Sequence, residues 1–226
     1  MNIENKNNLR IALTKGRIEK QAVEMFEKNG VDCSALRDKG RKLIFPIPIG
    51  NDGLDSVDVL LVKPTDVITY VELGICDIGI VGKDTIMENG TSFYEIADLG
   101  FGKCKMALAS KAKYAKNPEQ FYHGYGKKVI ATKFEKIARE FFSENKNLDI
   151  DIIKIEGSVE IAPVLGFADA IVDIVETGTT LRENGLEVIE EIFDISARLI
   201  VNVASMKMKK NAVDIFSKKL GVWEEI

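Results

Sequence analysis

Short apolar runs rich in β-branched residues alternate with longer amphipathic segments along this chain. Apolar residues at helical spacing predict helices at 17–30, 64–74, 83–89, 134–145, 158–166, 179–185 and 209–221. The β-branched runs predict strands at 9–14, 41–50, 57–63, 77–82, 94–110 (one or two strands), 127–133, 149–157, 168–175 and 193–205. Such alternation is typical of an α/β fold with mostly parallel sheets.

Local signals sharpen some of these boundaries. The Asn-Asp-Gly content of the segment 50–56 predicts a hairpin or a loose loop between two strands. Ser158 is predicted to be the N-cap of the helix that follows it, because a serine oxygen can accept a hydrogen bond from a free backbone N–H group. Pro64 suits the first turn of its helix.

The number of strand segments predicts more than one sheet. About ten candidates exceed a single sheet of five or six strands. The segment 111–127 is polar and rich in turn residues, and we expect it to mark the start of a second lobe. The prediction is therefore two α/β lobes with a central cleft. Ligands of open α/β sheets bind outside the carboxyl ends of the strands.

Composition limits the class of partner. The 226 residues include 31 basic and 35 acidic side chains, and the net charge of −4 argues against a nucleic-acid or membrane partner. Any site for an anion must therefore be built locally. The first ten residues lack the apolar segment of a signal peptide, and no apolar run approaches the ~18 residues of a membrane span. We expect a cytoplasmic protein.

Nucleophilic and metal chemistry find little support. Cys33, Cys76 and Cys104 are far apart and form no C-x-x-C motif, so we expect reduced thiols in or near the core. The single histidine, His123, lies in a turn-rich segment and is predicted to be on the surface. These residues make no Ser-His-Asp, Cys-His or metal-ligand pattern. A reaction that needs no protein nucleophile is favoured.

The segment "DIVETGTTL", residues 173–181, is one candidate binding site. A buried strand carries Asp173, and a lone carboxylate in an apolar run costs free energy unless it has partners. The strand ends in Thr177, Gly178, Thr179 and Thr180 before a helical pattern. Two interpretations stay open: a capped turn, or a cradle in which backbone N–H groups and hydroxyls hold a phosphate.

Cations follow other strands. Lys15 and Arg17 bracket Gly16 after the first strand, where positive charge opposes the dipole of the next helix. Two interpretations stay open for this pair: solvated charges, or a polyphosphate site. Arg41 and Lys63 flank other apolar strands, and taken alone each is more typical of a surface charge. Further along the chain, a strand and turn contain Gly79, Gly82 and Asp84, for which a plain turn is the simpler interpretation.

Taken together, these segments resemble a known family. The segment 160–181, "EIAPVLGFADAIVDIVETGTTL", resembles the signature of the ATP phosphoribosyltransferases of histidine biosynthesis. The matching positions are Glu160, Gly166, Ala168, Ile171, Asp173, Thr177, Gly178, Thr180 and Leu181. The segments "LTKGRI", "RKLIF", "TYVELGICDIGIVGKD" and "IATKFEKIAREFF" resemble other parts of the family in the same order. The resemblance extends from about residue 9 to 205.

The resemblance implies a fold and an assembly. The family fold has two lobes of periplasmic-binding-protein type II topology, which places residues 1–104 and 200–226 in lobe I and 105–199, with the PRPP-binding loop, in lobe II. The length is similar to that of the family's short form. That form implies a dimer of catalytic chains and a regulatory subunit resembling histidyl-tRNA synthetase, together in a hetero-octamer.

The resemblance also implies a reaction. ATP and phosphoribosyl pyrophosphate (PRPP) are the substrates, adenine N1 attacks ribose C1, and pyrophosphate leaves. Mg²⁺ would be carried by the substrate phosphates rather than by a protein metal site. The PRPP-binding residues would be Glu160, Asp173, Thr177, Gly178, Thr179 and Thr180. The ATP-binding residues would be Lys15, Gly16, Arg17 and Asp84. The catalytic cations would be Arg41, Lys63 and Lys15.

Three positions depart from the family pattern. The family usually has proline where Thr14 and Ile68 stand, and arginine where Lys63 stands. Lysine keeps the charge but loses the bidentate fork.

Two other interpretations of the sequence differ from this family. One is a solute-binding pair of lobes, which shares the architecture. A phosphoribosyltransferase of the other common fold would have two adjacent acids before the Thr-Gly loop, whereas here Ile174 follows Asp173.

Overall fold

The computed structural model describes residues 8–51, 53–123 and 126–222. Within these ranges the strands are β1 (Leu9–Thr14), β2 (Ile44–Asn51), β3 (Leu54–Val62), β4 (Ile78–Gly82), β5 (Tyr94–Asp98), β6 (Cys104–Lys111), β7 (Lys128–Thr132), β8 (Ile150–Lys154), β9 (Ala170–Val175), β10 (Leu186–Ile195) and β11 (Ala197–Val201). The helices are α1 (Arg17–Lys28), α2 (Ser34–Arg37), α3 (Pro64–Glu72), α4 (Lys83–Asn89), α5 (Ala112–Lys116), α6 (Pro118–Tyr122), α7 (Glu135–Glu140), α8 (Ile161–Leu165), α9 (Thr179–Glu183), α10 (Val203–Met208) and α11 (Lys210–Lys219). A π-helical turn, Phe141–Asn145, continues α7.

The chain divides into two compact units. Unit 1 contains the residues up to Gly102 and those from Ser196 onward, and unit 2 is Lys103–Ile195. The chain therefore leaves unit 1 once and returns to it once. The lobe limits drawn from the sequence, at residues 104 and 199, stay a prediction.

Unit 1 contains a six-stranded sheet in the order β2-β3-β1-β4-β11-β5. Strand β1 is parallel to both of its neighbours, β3 and β4, and every residue of β4 is buried. The hairpin β2–β3 is antiparallel, with Asn51 opposite Leu54, and Asp52 of the predicted loop lies outside the described residues. Pro46 and Pro48 lie in β2, at the edge of the sheet, where a missing N–H group costs no ladder hydrogen bond.

Unit 2 contains a five-stranded sheet in the order β10-β6-β9-β7-β8. Strand β7 is parallel to β8 and β9, whereas β6 is antiparallel to β9 and β10. In unit 1, β11 is likewise antiparallel to both of its neighbours. The prediction of mostly parallel sheets is therefore wrong. Strands β6 and β11 are the first strands after each passage between units, and each enters its sheet against the direction of its neighbours.

Most predicted elements are present, and three details are wrong. The long strand predicted at 193–205 is instead the end of β10, then β11 in the other sheet, then the start of α10. Ser196 lies between the two strands and donates its hydroxyl to Asp98 at 2.8 Å. Ser158 does not cap α8: its φ of 50° is left-handed and the N-cap is Glu160. The segment 111–127 contains α5 and α6, and unit 2 begins earlier.

The core contains the predicted free thiols. All three cysteines are buried and none forms a disulfide within the described residues, which confirms the prediction of reduced thiols. Burial raises the pKa of the Cys33 and Cys76 thiols to about 11, which disfavours the reactive thiolate. None of the helices in the described ranges has the length and apolar character needed to cross a membrane.

A buried carboxylate joins β4 to the C-terminal helices of unit 1. Asp77, which is 6% exposed, accepts hydrogen bonds from the Arg10 backbone N–H (2.9 Å), the Ser205 hydroxyl (2.6 Å) and the Lys209 ammonium (3.0 Å). Asn202 caps α10 and donates to the Val71 carbonyl at 2.7 Å. Asp77 precedes β4, so this network lies at the amino edge of the parallel strands.

Replacing Asp77 by alanine is expected to lower the free energy of unfolding by about 3 kcal/mol, because it leaves a partly buried ammonium and two further donors without their acceptor. Denaturant unfolding measures this value. Glu27→Ala is the control, since exposed ion pairs such as the one between Glu27 and Arg37 contribute little to stability. A loss no larger than the control's would contradict the structural role of Asp77.

Candidate functional site

Two predicted cations follow neighbouring parallel strands of unit 1. Thr14, the last residue of β1, lies opposite Val62, the last residue of β3. The Lys15 backbone N–H continues this ladder and donates to the Val62 carbonyl at 3.0 Å. Lys15 and Lys63 therefore leave the sheet side by side at its carboxyl edge, and both side chains are exposed.

The turn between β1 and α1 requires a glycine. Gly16, the N-cap of α1, has φ 93° and ψ −127°, a conformation that side chains other than glycine's disfavour. Its N–H donates to the Glu19 carboxylate at 3.2 Å, and Arg17 donates a guanidinium hydrogen bond to the Gly102 carbonyl at 3.4 Å. Lys15 and Arg17 are thus fixed at their backbones by the ladder and by the start of the helix.

The positive charge at this edge is concentrated by helix ends. Lys63 is the N-cap of α3, and its carbonyl accepts the Val67 N–H at 3.1 Å. Lysine at a helix N-terminus adds to the positive end of the dipole rather than offsetting it. Across the described part of the chain, no carboxylate pairs with Lys15 or Lys63. Lys15 and Lys63 therefore present exposed positive charge at this edge, which suits polyphosphate.

Arg41 lies in a tight turn that leads into β2. The Lys42 N–H donates to the Lys39 carbonyl at 3.2 Å, and Gly40 has φ 53°. Strand β2 starts at Ile44, opposite Leu60, near the carboxyl end of β3. The turn therefore leads into the edge where Lys63 lies. The Arg41 side chain is exposed and has no ion-pair partner within the described ranges.

Asp84 follows β4, the strand on the other side of β1. It is half-buried in the first turn of α4, where a carboxylate is favoured by the helix dipole. A Cβ atom at Gly82 would lie 2.2 Å from the Asp84 Oδ1 atom, so a side chain there would displace the carboxylate. Gly82 thus leaves space for the Asp84 carboxylate beside the backbone at the end of β4.

Thr14, one of the departures from the family pattern, has a partner that proline would lack. Its hydroxyl donates to the Ile80 carbonyl of β4 at 3.0 Å, and Thr14 is 4% exposed. Buried polar groups are costly unless they are hydrogen-bonded. This bond joins β1 to β4 immediately before Lys15.

Unit 2 has a second strand-to-helix turn that contains a glycine N-cap with positive φ. Gly178, the N-cap of α9, has φ 68°. The hydroxyls of Thr177 and Thr179 lie 3.0 Å apart, and the Thr179 N–H approaches the Thr177 Oγ1 atom at 3.4 Å. The side chains of Thr177, Thr179 and Thr180 are exposed. The predicted phosphate-binding residues therefore form one compact loop after β9.

Arg182 is a residue of this loop that the sequence interpretation missed. Its guanidinium donates to the Thr177 carbonyl at 3.1 Å and to the Thr179 hydroxyl at 3.2 Å. The same group lies 3.1 Å from the position of a Cβ atom on Gly178. The sequence indicates a place for Arg182 in this loop only through its spacing of five residues from Thr177, which is a little over one helical turn. Arg182 brings positive charge to a turn that otherwise offers only neutral donors.

Asp173 and Glu160 lie near this loop within unit 2. Asp173 is half-buried. It lies two residues from Ile171 and from Val175 along β9, so the three residues share one face of the sheet. Glu160 follows β8, which ends at the same edge as β7 and β9. Its neighbour Val159 joins a buried cluster with Ala109, Ala131, Ala162, Ala168, Ile171, Leu181 and Leu186. That cluster fixes both turns to one face of the sheet.

Metal-ligand clusters and the single histidine were the other candidates for chemistry, and neither supports a site. The described residues contain no cluster of three His, Cys, Asp or Glu side chains that could hold a metal ion. His123 is exposed and lies 2.8 Å from Glu119, which confirms that it is a surface residue.

Comparison with known proteins gives concordant matches. The family model described as ATP phosphoribosyltransferase matches residues 63–221. The chain is 54% identical over 220 residues to an ATP phosphoribosyltransferase of Clostridium kluyveri, covering 97% of this chain and 95% of the relative.

Solved structures agree with the sequence matches. A chain of the ATP phosphoribosyl transferase (HisG:HisZ) complex from Thermotoga maritima superposes with a TM-score of 0.75 and 34% identity, covering 94% of this chain and 96% of that one. The alkanesulfonate-binding protein of Xanthomonas axonopodis pv. citri superposes with a TM-score of 0.55 and 11% identity, covering 95% and 72%. The second likeness shows the fold alone, and it confirms the predicted architecture of the periplasmic-binding-protein type.

Proposed function

The chain belongs to the ATP phosphoribosyltransferase family. We propose that the loop at residues 15–17 of unit 1 and the loop at residues 177–180 of unit 2 bind the two substrates of that reaction. The chain is a pentosyltransferase of histidine biosynthesis. It condenses ATP with PRPP to N1-(5-phosphoribosyl)-ATP and pyrophosphate. The observation that supports the assignment of residues is that Lys15 and Lys63 follow the adjacent strands β1 and β3, are exposed, and have no ion-pair partner among the described residues.

The chemistry explains why no histidine or nucleophile is needed. The lone pair of adenine N1 is free, so the attack on ribose C1 requires no strong base. Positive charge develops on the ribose and negative charge on the leaving pyrophosphate. Catalysis then consists of positioning and electrostatic stabilisation. Fixed cations at a sheet edge supply that stabilisation without reorganising during the reaction.

The residues of unit 1 are assigned to ATP and to the leaving group. Lys15, Gly16 and Arg17 bind the ATP polyphosphate at the start of α1, and Asp84 completes the ATP site. Arg41, Lys63 and Lys15 stabilise the pyrophosphate as its charge grows. The side chains of Lys15, Lys63 and Arg41 are exposed and have no ion-pair partner in the described part of the chain, which supports these roles.

The residues of unit 2 are assigned to PRPP. The loop from Thr177 to Thr180 holds the 5′-phosphate with its N–H groups and hydroxyls. Arg182, which bonds to this loop, keeps its shape and adds positive charge. Asp173 and Glu160 bind the ribose hydroxyls, or Mg²⁺ through water.

Mg²⁺ fits this donor set as a companion of the substrates. Mg²⁺ prefers oxygen ligands, keeps several waters, and is usually held by one or two carboxylates together with substrate phosphates. The carboxylates of Asp173 and Glu160 are of that type. The ion supplies neutralisation of pyrophosphate charge.

The assembly is proposed from the neighbouring structure. That neighbour is a chain of a HisG:HisZ complex, which supports a partner of the HisZ type for this chain. We assign the partner a resemblance to histidyl-tRNA synthetase, with a dimer of catalytic chains inside a hetero-octamer. The enzyme is placed in the cytoplasm, where its nucleotide substrates are made.

The reaction is tested by mixing the purified chain with ATP, PRPP and Mg²⁺ and following the absorbance of the N1-substituted adenine. We expect product to form, to stop when EDTA removes Mg²⁺, and to return when excess Mg²⁺ is added. The same assay with a HisZ-type chain measures its effect on the rate, and light scattering gives the size of the assembly. No product with or without that chain would contradict the function.

Replacing Thr177 by valine is expected to raise the KM for PRPP about tenfold or more, because it removes a hydroxyl bonded to a charged phosphate. Folding should be retained, since the side chain is exposed. Steady-state kinetics with PRPP varied at saturating ATP give the value. Thr69→Val, an exposed threonine on α3, is the matched control. PRPP kinetics equal to wild type would rule out the phosphate cradle.

Replacing Arg41 by alanine is expected to lower kcat by about 100-fold while the melting temperature changes by less than about 2 °C. The exposed guanidinium makes no contact on which the fold depends, so its loss should affect the chemical step. Arg37→Ala is the control, because Arg37 is a nearby exposed arginine paired with Glu27. A large drop in melting temperature with kcat preserved would reverse this assignment.

A further inference from the structure

We propose that Glu19 is a positioning residue that holds two cationic loops of unit 1, residues 15–17 and residues 39–42, in a fixed arrangement. The inference rests on the proposed roles of Lys15, Arg17 and Arg41. Glu19 itself contacts no substrate in this scheme. It acts through the backbone of one loop and the side chain of the other.

The two oxygens of the Glu19 carboxylate have different partners. Oε2 accepts the Gly16 N–H at 3.2 Å, and Oε1 forms an ion pair with the Lys39 ammonium. Glu19 is 8% exposed as a residue, whereas the Lys39 side chain is 42% exposed. The carboxylate is therefore a buried anchor, and the lysine reaches it from the surface.

Each partner lies next to a residue with a proposed role. Gly16, whose backbone N–H donates to Glu19, stands between Lys15 and Arg17. Lys39 opens the four-residue turn closed by the Lys42 N–H, and Arg41 is inside that turn. One carboxylate thus spans 20 positions of sequence to join the two loops.

Helix capping alone does not account for this arrangement. A glutamate three residues after the N-cap commonly accepts the N-cap N–H, and this explains the bond from Gly16. It does not require the second oxygen to bind a lysine from another loop, nor the burial of the side chain. The Lys39 ammonium also neutralises the carboxylate, so that Glu19 does not offset the positive charge presented by Lys15 and Arg41.

Glu19→Gln keeps the shape but loses the ion pair. It also replaces the charged acceptor of the Gly16 N–H by a neutral carbonyl oxygen, which accepts a weaker hydrogen bond. We therefore expect kcat to fall about tenfold and the KM for ATP to rise about fivefold, with the KM for PRPP within about twofold of wild type. A purely structural role would lower stability without this difference between the two KM values. Glu27→Gln, on the same helix and paired with Arg37, should match wild type in all three constants.

A second pair of variants tests the idea even if Glu19→Gln folds poorly. Lys39→Met should lower kcat through Arg41 and leave the KM for ATP nearly unchanged, because the bond from Gly16 to Glu19 remains. Lys39→Arg restores a cation and should recover kcat to within about twofold. The double variant of Glu19→Gln with Lys39→Met should be no worse than Glu19→Gln alone.

The outcomes separate the two proposals. If the wild-type chain turns over ATP and PRPP but Lys39→Met keeps full kcat, or Glu27→Gln shows the same losses as Glu19→Gln, the positioning role is overturned alone. If wild type shows no turnover with or without a HisZ-type chain, the proposed function fails and this inference fails with it.

Discussion

The constraint that shapes this protein is the need to hold polyphosphates on a chain whose net charge is −4. A global field cannot attract these anions, so positive charge has to be concentrated locally. In the site proposed above, the parallel strands β3 and β1 provide it by ending side by side, where Lys15 and Lys63 leave the sheet next to the N-termini of α1 and α3. The hydrogen bond from Thr14 to Ile80 ties the third strand, β4, to the same edge.

Both units place a glycine with positive φ between a strand and a helix, but the two turns differ. Gly16 has ψ −127°, whereas Gly178 has ψ 10° and lies in the left-handed helical region. Lysine and arginine flank Gly16, and in the proposed scheme they serve a polyphosphate whose charge changes during the reaction. Around Gly178 the donors are threonine hydroxyls bonded to Arg182, and in the same scheme they serve a phosphate that stays unchanged. The proposed difference between the two anion sites therefore involves both the backbone and the side chains.

Local pattern predicted local structure well. Helix α4 spans the predicted 83–89, and β1 spans the predicted 9–14, because periodicity and turn glycines report on the nearest neighbours in sequence. Strand direction was predicted poorly. Alternation of strands and helices contains no signal that β6 and β11 enter their sheets antiparallel after the chain changes unit. A break as small as Ser196 likewise leaves a strand-like pattern intact while the chain crosses over.

The candidate residues show the same division. Motif resemblance named Lys15 and Arg41, but it could not name Glu19 and Lys39, which meet only through tertiary packing. The proposed role of this ion pair bears on Lys63, where the resemblance leads us to expect arginine. An ammonium on a flexible stem cannot supply two parallel hydrogen bonds to a phosphate, so the proposal leaves bidentate recognition at this edge to the guanidinium groups of Arg17 and Arg41. In that scheme, Glu19 and Lys39 position the two loops that carry these guanidinium groups.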